Sequence, residues 1–187
     1  MGFEQGNSKD GKHYWLTPPE LMKDLQLEFD FDFDPCPFPK PDDFDGLSAE
    51  WGKRNYVNPP FGAIMQNGKK KGQTAWVRKA IEEYKKGKKV VMVYPLDKWV
   101  LMMVEAGAEI RNLKDIKWHA TEDGSKGKGT GRHIACFILD PDKNKKTAKE
   151  ILKKYNYGES ELEFMGTDIL KAMEEYAGRW QVGGCKK

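Results

Sequence analysis

The stretch RNYVNPPF, residues 54–61, runs from a short apolar strand into an amide, two consecutive prolines and an aromatic ring. Residues 55–58 are predicted to form the strand, which stops at the prolines because proline has a fixed φ and no N–H to pair. Ligands of open α/β sheets bind beyond the carboxyl ends of the strands. A binding site is therefore expected at the four residues that end the stretch, Asn58, Pro59, Pro60 and Phe61.

Strands and helices alternate on both sides of this stretch. Phe alternates with Asp over residues 28–34, which predicts a strand, and apolar runs over 90–94 and 133–139 predict strands buried on both faces. A strand over 110–118 is joined to the last of these by a loop too short for a crossover helix, so we expect an antiparallel pair at one edge. The pattern predicts an α/β fold whose Rossmann-like sheet is mostly parallel, with helices on both faces.

Three helix starts are predicted from capping residues. Thr17 is expected to cap the first helix, with Pro18 at its first position and a capping box behind it. Thr74 and Asp97 are expected to cap the next two helices. The segment 62–73, before the second helix, is predicted to be a polar loop.

The length of 187 residues suits one domain with a real core. Residues 1–187 are expected to form that domain, with 1–13 as a flexible arm and 140–187 as a C-terminal extension that contains helices near 147–156 and 167–177. The chain is 39% hydrophobic and 33% charged, and no apolar run approaches the ~20 residues that span a bilayer. The first residues lack the apolar core of a signal peptide, so a cytoplasmic location is expected.

No metal site is predicted. The three cysteines have no paired spacing, which argues against a disulfide framework and against a CxxC zinc site. Asp30, Asp32 and Asp34 have the spacing that opens a calcium loop, but Pro35 stands where such a loop needs glycine.

Basic residues cluster in two glycine-containing loops, 62–73 and 121–132, although the net charge is only +3. Such clusters are compatible with solvated faces, and they are also suited to the phosphates of a polyanion. We expect nucleic-acid contacts from six of these side chains, Lys69, Lys70, Lys71, Lys126, Lys128 and Arg132.

The NPPF sequence suits methylation of a planar amino group such as that of adenine. This nitrogen is a poor nucleophile because its lone pair is delocalised into the ring, and two acceptors on its hydrogens would localise the pair. The Asn58 side-chain oxygen and the Pro59 carbonyl are the candidate acceptors, and Phe61 offers a stacking face. In-line transfer from S-adenosylmethionine needs no metal, and an adenine in a duplex has to be flipped out. The four residues alone are also compatible with a turn after an edge strand.

Four segments within residues 14–139 resemble the phage-type DNA N6-adenine methyltransferases, the small Dam-like enzymes. They are YWLTPPEL at 14–21, FDFDP at 31–35, LSAEW at 47–51 and VNPPFG at 57–62. The resemblance implies a class I methyltransferase fold that uses S-adenosylmethionine and acts on double-stranded DNA, in the host cytoplasm if the chain is phage-encoded. It implies that Asn58 to Phe61 hold the target base. It assigns the methyl donor to Trp15, Thr17, Pro18, Asp34, Pro35 and Asn58.

Two departures from the family pattern concern the donor pocket. No glycine-rich turn follows Asp34, because the next glycine is Gly46, and the interval 35–57 is too short for two intervening strand–helix units. A trimmed pocket is therefore expected, in which Asp34 serves either the methionine amino group or the ribose hydroxyls. Two alternatives stay open: a same-fold enzyme that methylates RNA or a protein amide, and a catalytically silent DNA-binding relative.

Overall fold

The computed structural model describes residues 15–66, 68–121, 124–127, 129 and 131–143. The chain divides into two compact units, Met1–Pro141 and Asp142–Lys187, and the elements below belong to the first. The expected arm and the two expected C-terminal helices lie outside the described residues, and the extent of the single domain stays a prediction. No helix within the described ranges is long and apolar enough to cross a bilayer.

Three helices and six strands are named in the described part of the chain. They are α1 (Pro19–Phe29), β1 (Arg54–Val57), β2 (Ile64–Gln66), β3 (Lys69–Lys71), α2 (Gln73–Lys85), β4 (Lys89–Pro95), α3 (Val100–Glu105), β5 (Glu109–Lys114) and β6 (Ile134–Leu139). The strands predicted around the NPPF stretch, in the two apolar runs and between them are confirmed as β1, β4, β6 and β5, with shifted ends.

The main sheet has the strand order β1-β4-β6-β5 and is mixed, so the prediction of a mostly parallel sheet is wrong. β1 and β4 are parallel and are joined through α2, whereas β6 runs antiparallel to both β4 and β5. The expected antiparallel pair at one edge is confirmed. Within the pair, β6 is the interior strand, next to β4, and β5 is the edge strand. Burial explains the order, because all six residues of β6 are buried while β5 alternates and suits an edge.

The strand predicted over 28–34 is reduced to a single bridge. α1 continues to Phe29, and only Phe33 pairs in parallel with Asn55 of β1. The Asp32 carboxylate accepts the Arg54 N–H at 2.9 Å, which a strand partner's carbonyl would otherwise take. The chain therefore runs beside β1 in the expected place without forming a continuous ladder.

Helices lie on both faces of the sheet, as predicted. Leu25 and Phe29 of α1 pack with residues of one face, such as Tyr56 and Val91. Residues of α2 and α3, including Val77 and Met103, pack on the other face. The sheet is thus the middle layer of the described unit.

The predicted capping residues are wrong. α1 begins at Pro19 after Pro18 without a side-chain cap, because the Thr17 hydroxyl bonds to the Tyr56 hydroxyl instead. α2 begins after Gly72, which puts Thr74 inside the helix. The residue before α3 is Trp99, and the Asp97 carboxylate accepts from the adjacent backbone N–H rather than from the helix.

At the amino end of β4, a buried carboxylate gathers three lysines. Glu83 of α2 is 1% exposed and lies within 2.8 Å of the ammonium groups of Lys79, Lys86 and Lys88. Burial raises the pKa of Glu83, but the hydrogen bonds from the three lysines outweigh it and bring the pKa to about 2. Lys88 also donates to the Trp51 carbonyl, so the cluster joins α2, β4 and the chain before β1.

Candidate active site

Four chain segments leave the sheet at the end of its strands, along the edge that the carboxyl ends of β1 and β4 form. β1 and β4 end there, at Val57 and Pro95, because they are parallel. β6 begins opposite Pro95, and β5 ends opposite that same first residue of β6, Ile134. The NPPF residues, the start of α3 and the long 115–133 connection therefore share this edge, and Asp34 joins them because Phe33 pairs in parallel with β1.

Asn58 is held in one orientation at this edge. Its Nδ2 donates to the Trp15 carbonyl at 2.6 Å. A carbonyl oxygen only accepts, so the amide cannot be turned round without losing this bond. The Asn58 Oδ1 is buried and has no hydrogen-bond partner among the described residues. Such an atom carries an unmet demand for a donor.

The two prolines are buried, and the carbonyl of the second is held by a side chain of β4. The Tyr94 hydroxyl on β4 donates to the Pro60 carbonyl at 2.8 Å. No hydrogen bond to the Pro59 carbonyl is recorded within the described residues. The loop thus has one carbonyl engaged by the core and another, one residue earlier, still able to accept.

Phe61 is half-buried between two aromatic side chains. Its ring meets Trp118 edge-on, with centroids 5.0 Å apart, and Tyr94 at 5.8 Å. It packs against the hydrophobic clusters of both sheet faces, so it covers the end of the sheet. Its position is therefore set by the core rather than by the loop alone.

The segment around Trp15 is clamped to the connection after β5. Leu16 and His119 exchange two backbone hydrogen bonds of 2.9 Å. Gly127 approaches closely as well, since a Cβ on it would lie 2.8 Å from the Trp118 carbonyl and 3.5 Å from the Trp15 ring. Trp15, predicted as a donor-binding residue, is thereby placed against Asn58.

Thr17 and Asp34, two further predicted donor residues, lie around Tyr56. Thr17 bonds to the Tyr56 hydroxyl, and the Asp34 charge contributes to raising the pKa of Tyr56, after burial as the main cause. Burial raises the pKa of Asp34 itself to about 6, although a 2.7 Å hydrogen bond from the Cys36 N–H works against it. Asp34 therefore changes its protonation state closer to neutral pH than an ordinary aspartate does.

Pro35, the remaining predicted donor residue, meets Gly46 across the loop. A Cβ on Gly46 would lie 1.8 Å from the Pro35 carbonyl oxygen, so only glycine fits there. The Trp51 indole donates to the Gly46 carbonyl at 2.7 Å. A glycine from further along the chain therefore allows the close approach for which the loop after Asp34 has no glycine of its own.

A small concavity opens beside this contact, with about 270 Å³ of empty space including its mouth. Most of this space is open to solvent, and the enclosed part has room for little more than a water molecule, so the concavity is a shallow depression. Trp76 lines it, and the buried Trp76 Nε1 has no acceptor within the described ranges. The other lining residues are Pro35, Cys36, Pro37, Lys40, Asp45, Gly46, Pro60 and Ile64.

The predicted nucleic-acid residues lie on segments that leave the same edge. The expected polar loop 62–73 contains a hairpin instead, in which β3 consists of Lys69, Lys70 and Lys71. Lys126 is exposed beside Gly127 and pairs with His119. Arg132 is exposed too, and Lys128 lies outside the described residues.

Sequence reasoning missed the aromatic support of the site. Tyr56, Tyr94 and Trp118 look like ordinary core residues, and no local pattern marks their partners. The hairpin did leave a signal, because Asn67-Gly68 between short segments is a strong two-residue turn signature. As for metals, the described residues contain no group of three or more His, Cys, Asp or Glu that could hold an ion.

Comparison with known proteins adds one finding. The family model described as DNA N-6-adenine-methyltransferase (Dam) matches residues 5–157, well over half of the chain. No curated protein and no solved structure is significantly similar to it.

Proposed function

The chain belongs to the DNA N-6-adenine-methyltransferase (Dam) family, and on that premise we propose that Asn58 to Phe61 hold a flipped-out adenine against the methyl donor. The protein is an adenine-specific DNA methyltransferase that transfers a methyl group from S-adenosylmethionine to N6 of adenine in DNA. One observation carries the assignment of the site: the Oδ1 of Asn58, partnerless in the described part of the chain although the amide nitrogen is anchored, lies directly after β1 at the edge of the sheet where four segments converge.

Asn58 and Pro59 act as the two acceptors for the target amine. The Asn58 Oδ1 accepts one N6 hydrogen and the Pro59 carbonyl accepts the other, which localises the nitrogen lone pair for attack. Both directions are set before the base arrives, since Trp15 holds the amide and Tyr94 holds the neighbouring Pro60 carbonyl. Such preorganised dipoles cost no rearrangement at the moment of reaction.

Phe61 supports the plane of the base. A ring fixed by Trp118 and Tyr94 gives a stacking surface that stays in place when the base arrives. Stacking on an aromatic ring is worth ~1–3 kcal/mol per base, which offsets part of the stacking that the adenine loses on leaving the duplex.

The donor-binding residues fit S-adenosylmethionine in their chemistry. This molecule supplies an electrophilic methyl group on a sulfonium, and it carries an ammonium, a carboxylate and ribose hydroxyls. The Asp34 carboxylate would accept from the ammonium or the ribose, and Thr17 adds a hydroxyl near it. Trp15, Pro18 and Pro35 would complete the walls.

The sheet supports a Rossmann-like fold that is trimmed in front of β1. β1, α2 and β4 form a parallel strand–helix–strand unit, and the chain around Phe33 runs parallel beside β1. Ligands of such sheets bind at the carboxyl ends of the strands, where Asp34 and Asn58 lie. The phage-type assignment within the family stays a prediction.

Labelling tests the function directly. Donor with a tritiated methyl group is offered with unmethylated duplex DNA, with RNA and with denatured protein, and the labelled product is hydrolysed and identified. We expect label as N6-methyladenine in DNA and none in RNA or protein. The Asn58→Ala protein is the matched control, and it should bind donor by calorimetry yet transfer almost no label.

The two alternatives predict other outcomes. Label in glutamine or RNA alone would overturn the DNA assignment in favour of a same-fold enzyme with another substrate. DNA binding without donor binding would favour a catalytically silent relative. Full activity of Asn58→Ala would overturn the assignment of the acceptor while leaving the family activity intact.

A further inference from the structure

The β2–β3 hairpin begins three residues after Phe61 and is tied down along one side. Ile64 is half-buried and packs against the core cluster that contains α2. Gln66 donates to the Asp45 carboxylate at 2.7 Å and to the Ser48 hydroxyl at 3.0 Å. The hairpin is therefore held at the mouth of the site.

Its other side presents an exposed thioether and a lysine. Met65 is 69% exposed and stands opposite Lys70 in the register of the hairpin, so the two side chains share one face. Lys69 stands opposite Gln66 and so belongs to the side that is tied down. An unbranched, flexible and polarisable side chain such as Met adapts to flat aromatic surfaces.

We propose that Met65 inserts into the base stack of duplex DNA beside the target adenine, while Lys70 contacts a flanking phosphate. The proposal rests on the proposed function, because a flipped adenine leaves a gap in the stack that an apolar wedge can fill. The hairpin is joined to Phe61 by a short link, which keeps it close to the place proposed for the flipped adenine at Asn58.

Charge and continuity with the site point to DNA as the occupant. A single exposed apolar side chain is ordinary on a protein surface, as Leu101 and Val104 of α3 show. Met65 differs from these two in having a lysine as its cross-strand partner and in standing on the segment that leaves the NPPF motif. Lys70 puts a positive charge on the same face as Met65, which suits a DNA phosphate better than a hydrophobic protein partner.

Two duplexes that differ only opposite the target adenine test the wedge. In one duplex the adenine is paired with thymine, and in the other it faces an abasic site, where flipping is easier. We expect Met65→Ala to lose about ten- to hundredfold in kcat/KM on the paired duplex and to recover to within a few-fold of wild type on the abasic one. Met65→Leu should keep most of the activity on both.

Lys70→Ala is the matched control on the same face. It should weaken binding to both duplexes alike and reduce the salt dependence of binding by about one phosphate contact. Wild-type activity of Met65→Ala on the paired duplex would overturn the proposal. An equal loss on both duplexes would overturn it too, because it would mark a damaged hairpin rather than a wedge.

A readout without methyl transfer separates this proposal from the proposed function. 2-Aminopurine at the target position brightens when it leaves the stack, and it cannot be methylated there because it has no amino group at C6. Brightening with the wild type and little with Met65→Ala supports the wedge even if no methyl group is transferred. No brightening with the wild type, at a sequence whose adenine-containing version it methylates, would overturn the wedge and leave the function standing.

Discussion

The two ends of the central sheet treat buried polar groups differently. At the amino end of β4, the Glu83 carboxylate is surrounded by the ammonium groups of Lys79, Lys86 and Lys88. At the carboxyl end, the Asn58 Oδ1 is anchored through its own amide and meets no donor in the described residues. One end uses its polar groups to hold the fold together, and the other has an acceptor with no described partner, the atom that we propose to bind the target base.

Asn55 and Asn58 make the comparison at the level of single residues. Asn55 is 0% exposed, and its Nδ2 donates to the Gly52 and Lys89 carbonyls at 3.0 and 2.9 Å. Its Oδ1 also lacks a partner among the described residues. An unpaired oxygen alone therefore does not mark a site. Asn58 differs because it is only half-buried, at the edge where four segments converge.

Exchanging each asparagine for alanine should give the largest contrast. Asn58→Ala is expected to lower kcat by about 10²–10³-fold, because one preorganised acceptor is lost, and to change the free energy of unfolding by less than about 1 kcal/mol. Asn55→Ala should lower that free energy by about 1–3 kcal/mol, since two backbone carbonyls lose their donor, and leave kcat of the folded fraction unchanged. Single-turnover rates and urea unfolding measure both. Equal losses of kcat in the two variants would show that Asn58 has no catalytic role beyond that of the structural Asn55.

Glu83→Gln probes the other end of the sheet. We expect it to lower the free energy of unfolding by about 3 kcal/mol, because three ammonium groups lose their shared carboxylate, without changing kcat. Its neighbour Glu82 is 56% exposed, pairs with Lys79 and Lys86, and is the control, so Glu82→Gln should cost about 0.5 kcal/mol or less. A similar cost for both variants would show that the buried cluster adds nothing special.

The pH dependence of the Glu83 contribution follows from its lowered pKa. A carboxyl group with a folded pKa of about 2 stabilises the protein above its usual value of 4.5, and this stability is lost as the pH falls towards 2. The difference between wild type and Glu83→Gln should therefore shrink over that window in acid unfolding experiments.

Asp34→Asn tests the charged group at the site. Its raised pKa means that the folded state binds the proton more tightly, so wild-type stability falls as the pH rises from 3.8 to about 6. Without donor, Asp34→Asn should be more stable than wild type above pH 6. Donor affinity of the wild type should fall by up to tenfold per unit below pH 6, and that dependence should vanish in the variant. A pH-independent affinity in calorimetry would exclude Asp34 from donor binding.

Tyr94→Phe should give the smallest effect. It removes the hydroxyl that holds the Pro60 carbonyl at 2.8 Å, so we expect a loss of about 1 kcal/mol in stability and a few-fold lower kcat at unchanged KM for the donor. Tyr56→Phe removes the bond to Thr17 and should instead raise that KM. If both variants shift the same constant, the two tyrosines do not serve separate parts of the site.

Only part of the fold and of the site could be predicted from local patterns in the sequence. The end of β1 at the NPPF stretch could be predicted because a strand followed by two prolines is a local pattern. β4 and β6 could be predicted because each is a continuous apolar run. The order of β6 and β5 depends on which of the two strands is the more apolar. The strand predicted over 28–34 does not form, and the Asp32 side chain accepts a backbone N–H of β1 there.

The support of the site depended on contacts that leave no mark in the sequence. The partner of Asn58 is the backbone carbonyl of Trp15, and any residue type could supply it. Gly46 approaches the Pro35 carbonyl so closely that no side chain would fit, and no local pattern links these two residues. The hairpin, in contrast, could have been predicted from Asn67-Gly68.

The pairing of Leu16 with His119 has a consequence for how the enzyme becomes active. A ribosome makes the Trp15 segment about a hundred residues before its partner, the segment around His119, at ~5–20 residues per second. Until that partner emerges, nothing clamps the segment whose carbonyl orients Asn58. A chain that stops before His119 should therefore be inactive on DNA although it already contains the whole NPPF motif.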